Sequence, residues 1–156
     1  FNQAKIHRAL TALDHHSDYN QSSGKPALFA RVVRIAEDFS NMSSRRGGGL
    51  TPHDTLARMA AGSGTRYDPI LMQSFVNLMG KYPPGTLLDV EIPLSIGTYT
   101  FVLMSSSLTR SPEAFDLPLC RLIQLPDGID CPPSYAGKVI DLAKRPHTIL
   151  GVRSQI

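Results

Sequence analysis

The chain has 156 residues, of which 42% are hydrophobic and 19% charged, and 16 Lys and Arg against 13 Asp and Glu give a formal net charge of +3. This balance excludes wholesale disorder, and the mild excess of positive charge is far from the dense basic stripe of a nucleic-acid binder, so neither DNA nor RNA is expected as a partner. No apolar run approaches the roughly 18–20 residues needed to span a bilayer, and FNQAKIHRAL lacks the basic-then-apolar order of a signal peptide. A soluble, cytoplasmic protein is the expectation, as a piece of a longer polypeptide, because Phe1 opens in the middle of a helical pattern. Cys120 and Cys131 lack a CxxC spacing and read as free thiols in a reducing compartment.

The first element is an amphipathic helix with Ile6, Leu10 and Leu13 on one stripe. The breaker run DYNQSSGKP ends it, and Leu28, Val32, Ile35, Ala36 and Phe39 mark a second helix. A third opens at Thr51-Pro52, where the hydroxyl can cap and the proline needs no NH, and Leu56, Met59 and Ala60 face inward. GSGTRYDP closes it and starts a fourth, with Asp68 as N-cap, Pro69 in the first helical position and Leu71, Met72, Phe75, Val76 and Met79 as the buried stripe.

From Pro83 the hydrophobic period changes from helix to strand. TLLDVEI, GTYTFVLMS and LCRLIQL predict strands, with shorter candidates at KVIDL and HTILGV. The expected fold class is therefore α+β: a mainly helical part of about four helices over residues 1–82, then a small antiparallel β appendix over 83–156 packed on it. Leu87, Phe101, Val102 and Leu122 are expected to be buried in that appendix.

Several stretches carry a resemblance. His15-His16, Gly24-Lys25-Pro26, ARVVRIAEDFSNMSSRR from Ala30, LTPHDTL, GSGTRYDP and KYPPGTLL follow one another in the order of the landmarks of the HD-GYP family. There the corresponding pieces are the HHE motif, Gly-Tyr-Pro, the ARI-x-x-x-AD helix, LSPEEAL, GAGTQFDP and YPVGTLV. The chain resembles the C-terminal half of such a domain, a metal-dependent phosphohydrolase of the cyclic-di-GMP phosphodiesterase branch.

The resemblance implies a helical pocket in which His and carboxylate ligands hold iron or manganese, and the metals activate a water against the phosphodiester. By that resemblance His15, His16 and Glu37 would be metal ligands, and Arg46 would contact the phosphate of cyclic di-GMP through its planar guanidinium. The departures count against catalysis. Ser17 replaces the acid of HHE, Lys25 the tyrosine of Gly-Tyr-Pro and Ser40 the second aspartate of the helix motif, and the His-Asp pair of the superfamily is expected upstream of Phe1. This chain alone is thus expected to bind no metal, to have no catalytic residue of its own and to serve as a degenerate signalling or interaction module with a protein partner, cyclic di-GMP being its candidate ligand. The rival reading is an active metal-dependent phosphodiesterase whose remaining ligands lie upstream or on another chain.

Plainer readings stand beside these. His53-Asp54 spells the superfamily's letters but sits in the first turn of a helix, where capping and dipole compensation account for it. Glu37 and Asp38 beside Arg34 read as a solvated polar face with helical charge pairs, and Arg31, Arg58 and Arg66 as solubilising charges. Arg45, Arg46 and the three glycines after them read as a flexible loop without P-loop spacing.

Overall fold

The computed structural model describes residues 3–44, 49–95, 97–109, 111–126 and 137–154. The chain divides into two compact units, one within residues 1–50 and 54–76 and the other within 51–53 and 77–156.

The first unit is helical. It holds α1 (Gln3–Asp14), α2 (Leu28–Ser43) and the larger parts of α3 (Pro52–Ala61) and α4 (Pro69–Met79). α1 buries none of its residues, whereas α2 buries Ala30, Arg34 and Ile35 and α3 buries Thr55, Leu56 and Met59. Met72 and Tyr67 are buried in this unit as well. Asp68 caps α4 as its sequence predicts: Oδ1 accepts from the backbone N–H groups of Ile70 at 2.9 Å and Leu71 at 3.2 Å, and Pro69 supplies the first helical residue.

The link between α3 and α4 is a tight turn. The Gly62 carbonyl accepts from the N–H groups of Thr65, Arg66 and Tyr67, and Gly64 takes a positive φ of 80° that an L side chain rarely adopts. A Cβ at Gly62 would stand 3.2 Å from the Tyr67 ring, so glycine there lets the aromatic fold back over the turn. This turn sets the direction of Arg66, Tyr67 and Asp68.

The second unit is a five-stranded antiparallel sheet in the order β4-β3-β2-β1-β5, formed by β1 (Leu87–Leu94), β2 (Gly97–Ser105), β3 (Leu119–Gln124), β4 (Val139–Asp141) and β5 (Thr148–Arg153). Four strands form a meander, and the fifth returns to pair with β1 from Leu87 opposite Arg153 to Glu91 opposite Thr148. One face carries the core: Leu88, Val90 and Ile92 of β1, Leu103 of β2, Cys120 and Leu122 of β3, Ile140 of β4 and, beyond it, Leu142. Leu88 stands opposite Leu103, and Leu103 opposite Leu122, so the apolar side chains stack from strand to strand.

The expectation of a small β appendix is overturned, because five strands with a continuous core make this a substantial sheet. The reason is long-range pairing. KVIDL and HTILGV are short and only weakly alternating, but β4 gains β3 as its neighbour and β5 gains β1, which lies more than fifty residues earlier. Val102 and Leu122 are buried as expected, while Leu87 and Phe101 are half-buried. Leu87 falls on the opposite face from Leu88, so a strand that reads TLL could not reveal which leucine points inward. Cys120 is fully buried against this sheet, and burial, aided by Asp141, pushes its thiol up to about 12. Such a thiol is inert packing.

Candidate metal site and its polar surroundings

Three of the residues singled out in the sequence meet in the helical unit. The donor atoms of His15, His16 and Glu37 all lie within 4.8 Å of one another, and among the described residues this is the one group of three His, Cys or carboxylate side chains that could share an ion. His15 and His16 follow the end of α1, their rings 3.9 Å apart, while Glu37 comes from the middle of α2. His15 Nε2 approaches Glu37 Oε2 at 3.8 Å.

The Nδ1 of His15 lies 2.9 Å from the Ala12 carbonyl oxygen, which can only accept, so Nδ1 carries a proton and Nε2 is the ring nitrogen turned towards Glu37. Glu37 Oε2 is buried and has no hydrogen-bond partner. An anionic oxygen in that position is costly unless a cation or donor completes it.

The neighbouring carboxylate is committed elsewhere. Asp38 Oδ2 accepts from Arg34 Nε at 2.9 Å, Arg66 Nε at 3.1 Å and Tyr67 Oη at 2.9 Å, and Arg34 Nη2 reaches on to Asp18 at 3.2 Å. Arg34 is only 7% exposed. The sequence reading of a solvated polar face is therefore corrected: the i, i+4 pair between Arg34 and Asp38 exists, but it lies inside the unit and anchors the α3–α4 turn to α2. Burial, then the hydrogen bond to Asp38 and that group's charge, push the Tyr67 phenol up to about 12.

Arg31 and Arg66 likewise do more than solubilise. Arg31 Nη1 pairs with Asp68 Oδ2, and Arg66 Nη2 lies 3.0 Å from Asp38. Burial raises the Asp68 carboxyl, but the hydrogen bonds from Leu71, Arg31 and Ile70 outweigh it and hold that carboxyl below the usual range. Sequence reasoning missed this network because arginine next to polar residues looks the same whether solvated or buried. The available signal was GTRYDP itself, where a turn followed by an N-cap aspartate forces Arg66 and Tyr67 to one side.

His53 belongs to the sheet unit, where its Nδ1 lies 2.8 Å from the Lys81 carbonyl and its ring stacks on Tyr82 at 5.8 Å. Asp54 lies in the first turn of α3. Arg46, the expected phosphate contact, lies outside the described residues, as do Arg45 and Cys131.

As a donor set, the three residues do not fit a two-metal iron or manganese centre. Two ions need bridging and terminal ligands well beyond two imidazoles and one carboxylate; among the described residues no fourth ligand joins the group, and Asp38, next to Glu37, already accepts from three donors. Comparison with family models, with curated proteins and with solved structures finds no match.

Proposed function

We propose that the chain is a degenerate HD-GYP-type module, related to cyclic-di-GMP phosphodiesterases, that acts as a signalling or interaction domain without a complete catalytic site. The observation that carries this reading is the convergence of His15, His16 and Glu37 in a site that stops at three donors. Residues matched to the family's ligands by motif alone, twenty-one positions apart between His16 and Glu37, meet in space. The missing ligands and the engagement of Asp38 count against a working di-metal centre.

A protein partner is supported by the outward side of α2. Leu28, Phe29 and Val32 are each about half exposed in the first turns of α2, with the Phe29 ring 5.5 Å from that of His7 in α1. Exposed apolar side chains gathered in one stretch of a helix leave surface suited to another protein. Among the described residues no helix is long and apolar enough to cross a membrane.

Hydrolysis of a phosphodiester at neutral pH requires an activated water and positive charge on the developing oxyanion. Elemental analysis of the chain purified without chelator should accordingly find no stoichiometric iron or manganese. With either metal added, no cyclic di-GMP should be converted to pGpG or GMP. Turnover above the metal-only blank, abolished by both His15→Ala and Glu37→Ala, would establish the rival, an active phosphodiesterase completed by ligands from elsewhere. Binding without turnover, lost in Arg46→Ala, would make the module a nucleotide sensor.

A further inference from the structure

The three donors that cannot hold a pair of iron or manganese ions make a different set when judged for one ion. Two imidazole nitrogens and one carboxylate oxygen, with a fourth position open, form a donor set that suits a single zinc ion in tetrahedral coordination. Donors around such an ion stand about 3.3 Å apart, as follows from Zn–N and Zn–O bonds of about 2.0–2.1 Å. His15 Nε2 and Glu37 Oε2 are already 3.8 Å apart, and no pair of donors in the group exceeds 4.8 Å. Small side-chain rotations close the difference.

Two further features point to a cation in the same place. Ligating histidines almost always donate their other ring N–H to a carbonyl or carboxylate, and His15 does so to Ala12. Glu37 Oε2 is withdrawn from water and accepts no hydrogen bond, with His15 Nε2 standing 3.8 Å away, so a cation placed where both imidazoles converge would satisfy it. At a nitrogen and oxygen site of only three ligands, affinity for divalent ions rises from manganese through iron to zinc, so the loss of ligands costs the earlier metals their hold first.

We propose that His15, His16 and Glu37 form a mononuclear site for zinc, or a divalent ion of its class, with one coordination position open to water or to a donor from a ligand. The proposal rests on the reading of this site as incomplete for two metals, and not on whether the chain meets cyclic di-GMP.

The test uses the full chain stripped of metal and titrated with zinc by calorimetry. Cobalt(II) is titrated in parallel, because its visible absorption reports tetrahedral coordination by nitrogen and oxygen. One equivalent of either ion should bind, with an intense tetrahedral cobalt spectrum, and His15→Ala, His16→Ala and Glu37→Gln should each weaken binding by more than about tenfold. His53→Ala, which alters a histidine outside the group, should leave it unchanged. Circular dichroism on each variant separates loss of a ligand from loss of fold. No zinc binding by a folded chain overturns the proposal, as does binding that survives all three ligand variants or an octahedral cobalt spectrum. A positive result with no cyclic-di-GMP binding would sustain the zinc site while removing support from the nucleotide part of the functional reading.

Discussion

The helical unit and the sheet unit are held together by different physics. In the sheet unit β1 alternates from Leu87 to Ile92, the register shifts at Asp89/Val90 and at Val102/Leu103, and Leu88, Val90, Leu103 and Leu122 build one apolar core whose neighbours are set by strand pairing. In the helical unit the interior is shared among a few apolar residues, the buried Arg34, Thr55 and Asp68, and the carboxylate of Asp38. Hydrophobic burial is non-directional and tolerant of small errors, whereas a largely buried carboxylate that accepts from three donors depends on the placement of each. The unit with the candidate site is thus the one whose geometry depends most on charge.

Removal of the Asp38 carboxylate should separate the two units most clearly. Asp38→Ala leaves Arg34 and Tyr67 with unmatched donors in the interior and Arg66 without its partner, and breaking a buried pair on one side costs about 3–5 kcal/mol. The matching change in the sheet is Asp89→Ala, which removes a pair with Arg153 at 2.7 Å. Both of those side chains are partly in water, and such a pair is worth about 0–1 kcal/mol. Urea unfolding followed by far-UV circular dichroism should show a large loss for the first variant and almost none for the second. Equal losses would mean that the network around Asp38 is no more buried in its effect than a surface bridge.

The apolar counterpart comes next in size. Leu122 is 4% exposed in the centre of the sheet core, and Leu122→Ala should cost about 2–5 kcal/mol through lost burial and the cavity left behind. Arg121 beside it is exposed, and its replacement by alanine should stay within about 0.5 kcal/mol. An unchanged unfolding curve for Leu122→Ala would show that the register placing Leu122 between Leu103 and the core is wrong.

The same contrast explains what the sequence made legible. Helix starts were readable because they are local: Asp68-Pro69 specifies a cap and a first turn within a few residues, and the structure uses both. The strands from Leu87 to Gln124 were readable from their alternation. The extent of the sheet was not, because β5 owes its place to β1, and a six-residue strand carries no sign of a partner so far away in the chain. His15, His16 and Glu37 could be named together only through a motif resemblance, since nothing in their spacing brings the end of α1 beside the middle of α2. The role of Asp38 was hidden for a related reason. Its partner Arg34 is one helical turn away and visible, but Arg66 and Tyr67 reach it from a turn twenty-eight and twenty-nine residues later.

The smallest expected effect tests the network around Asp38 at a single hydrogen bond. Tyr67 is 3% exposed, and its hydroxyl donates to Asp38 at 2.9 Å. Tyr67→Phe keeps the ring over the turn and removes only the donor, while Asp38 retains both arginines, so the cost at neutral pH should be about 0.5–1.5 kcal/mol. Its pH dependence is more telling than its size. The folded phenol is raised to about 12, above the value of about 10 for an unfolded tyrosine, so its contribution is fully present below about pH 10 and disappears as the pH rises through 12. Asp68 acts in the opposite direction. Its carboxyl is held low in the folded chain, so its contribution is present above the ordinary aspartate range and is lost as the pH falls through the lower folded value. Thermal melts across pH should therefore show the helical signal weakening at both extremes, and Tyr67→Phe should flatten the alkaline arm while leaving the acid arm as it was. If the variant loses stability in alkali as steeply as the parent, the phenol is not the group that titrates there, and the short bond to Asp38 is incidental to the stability of the unit that carries His15, His16 and Glu37.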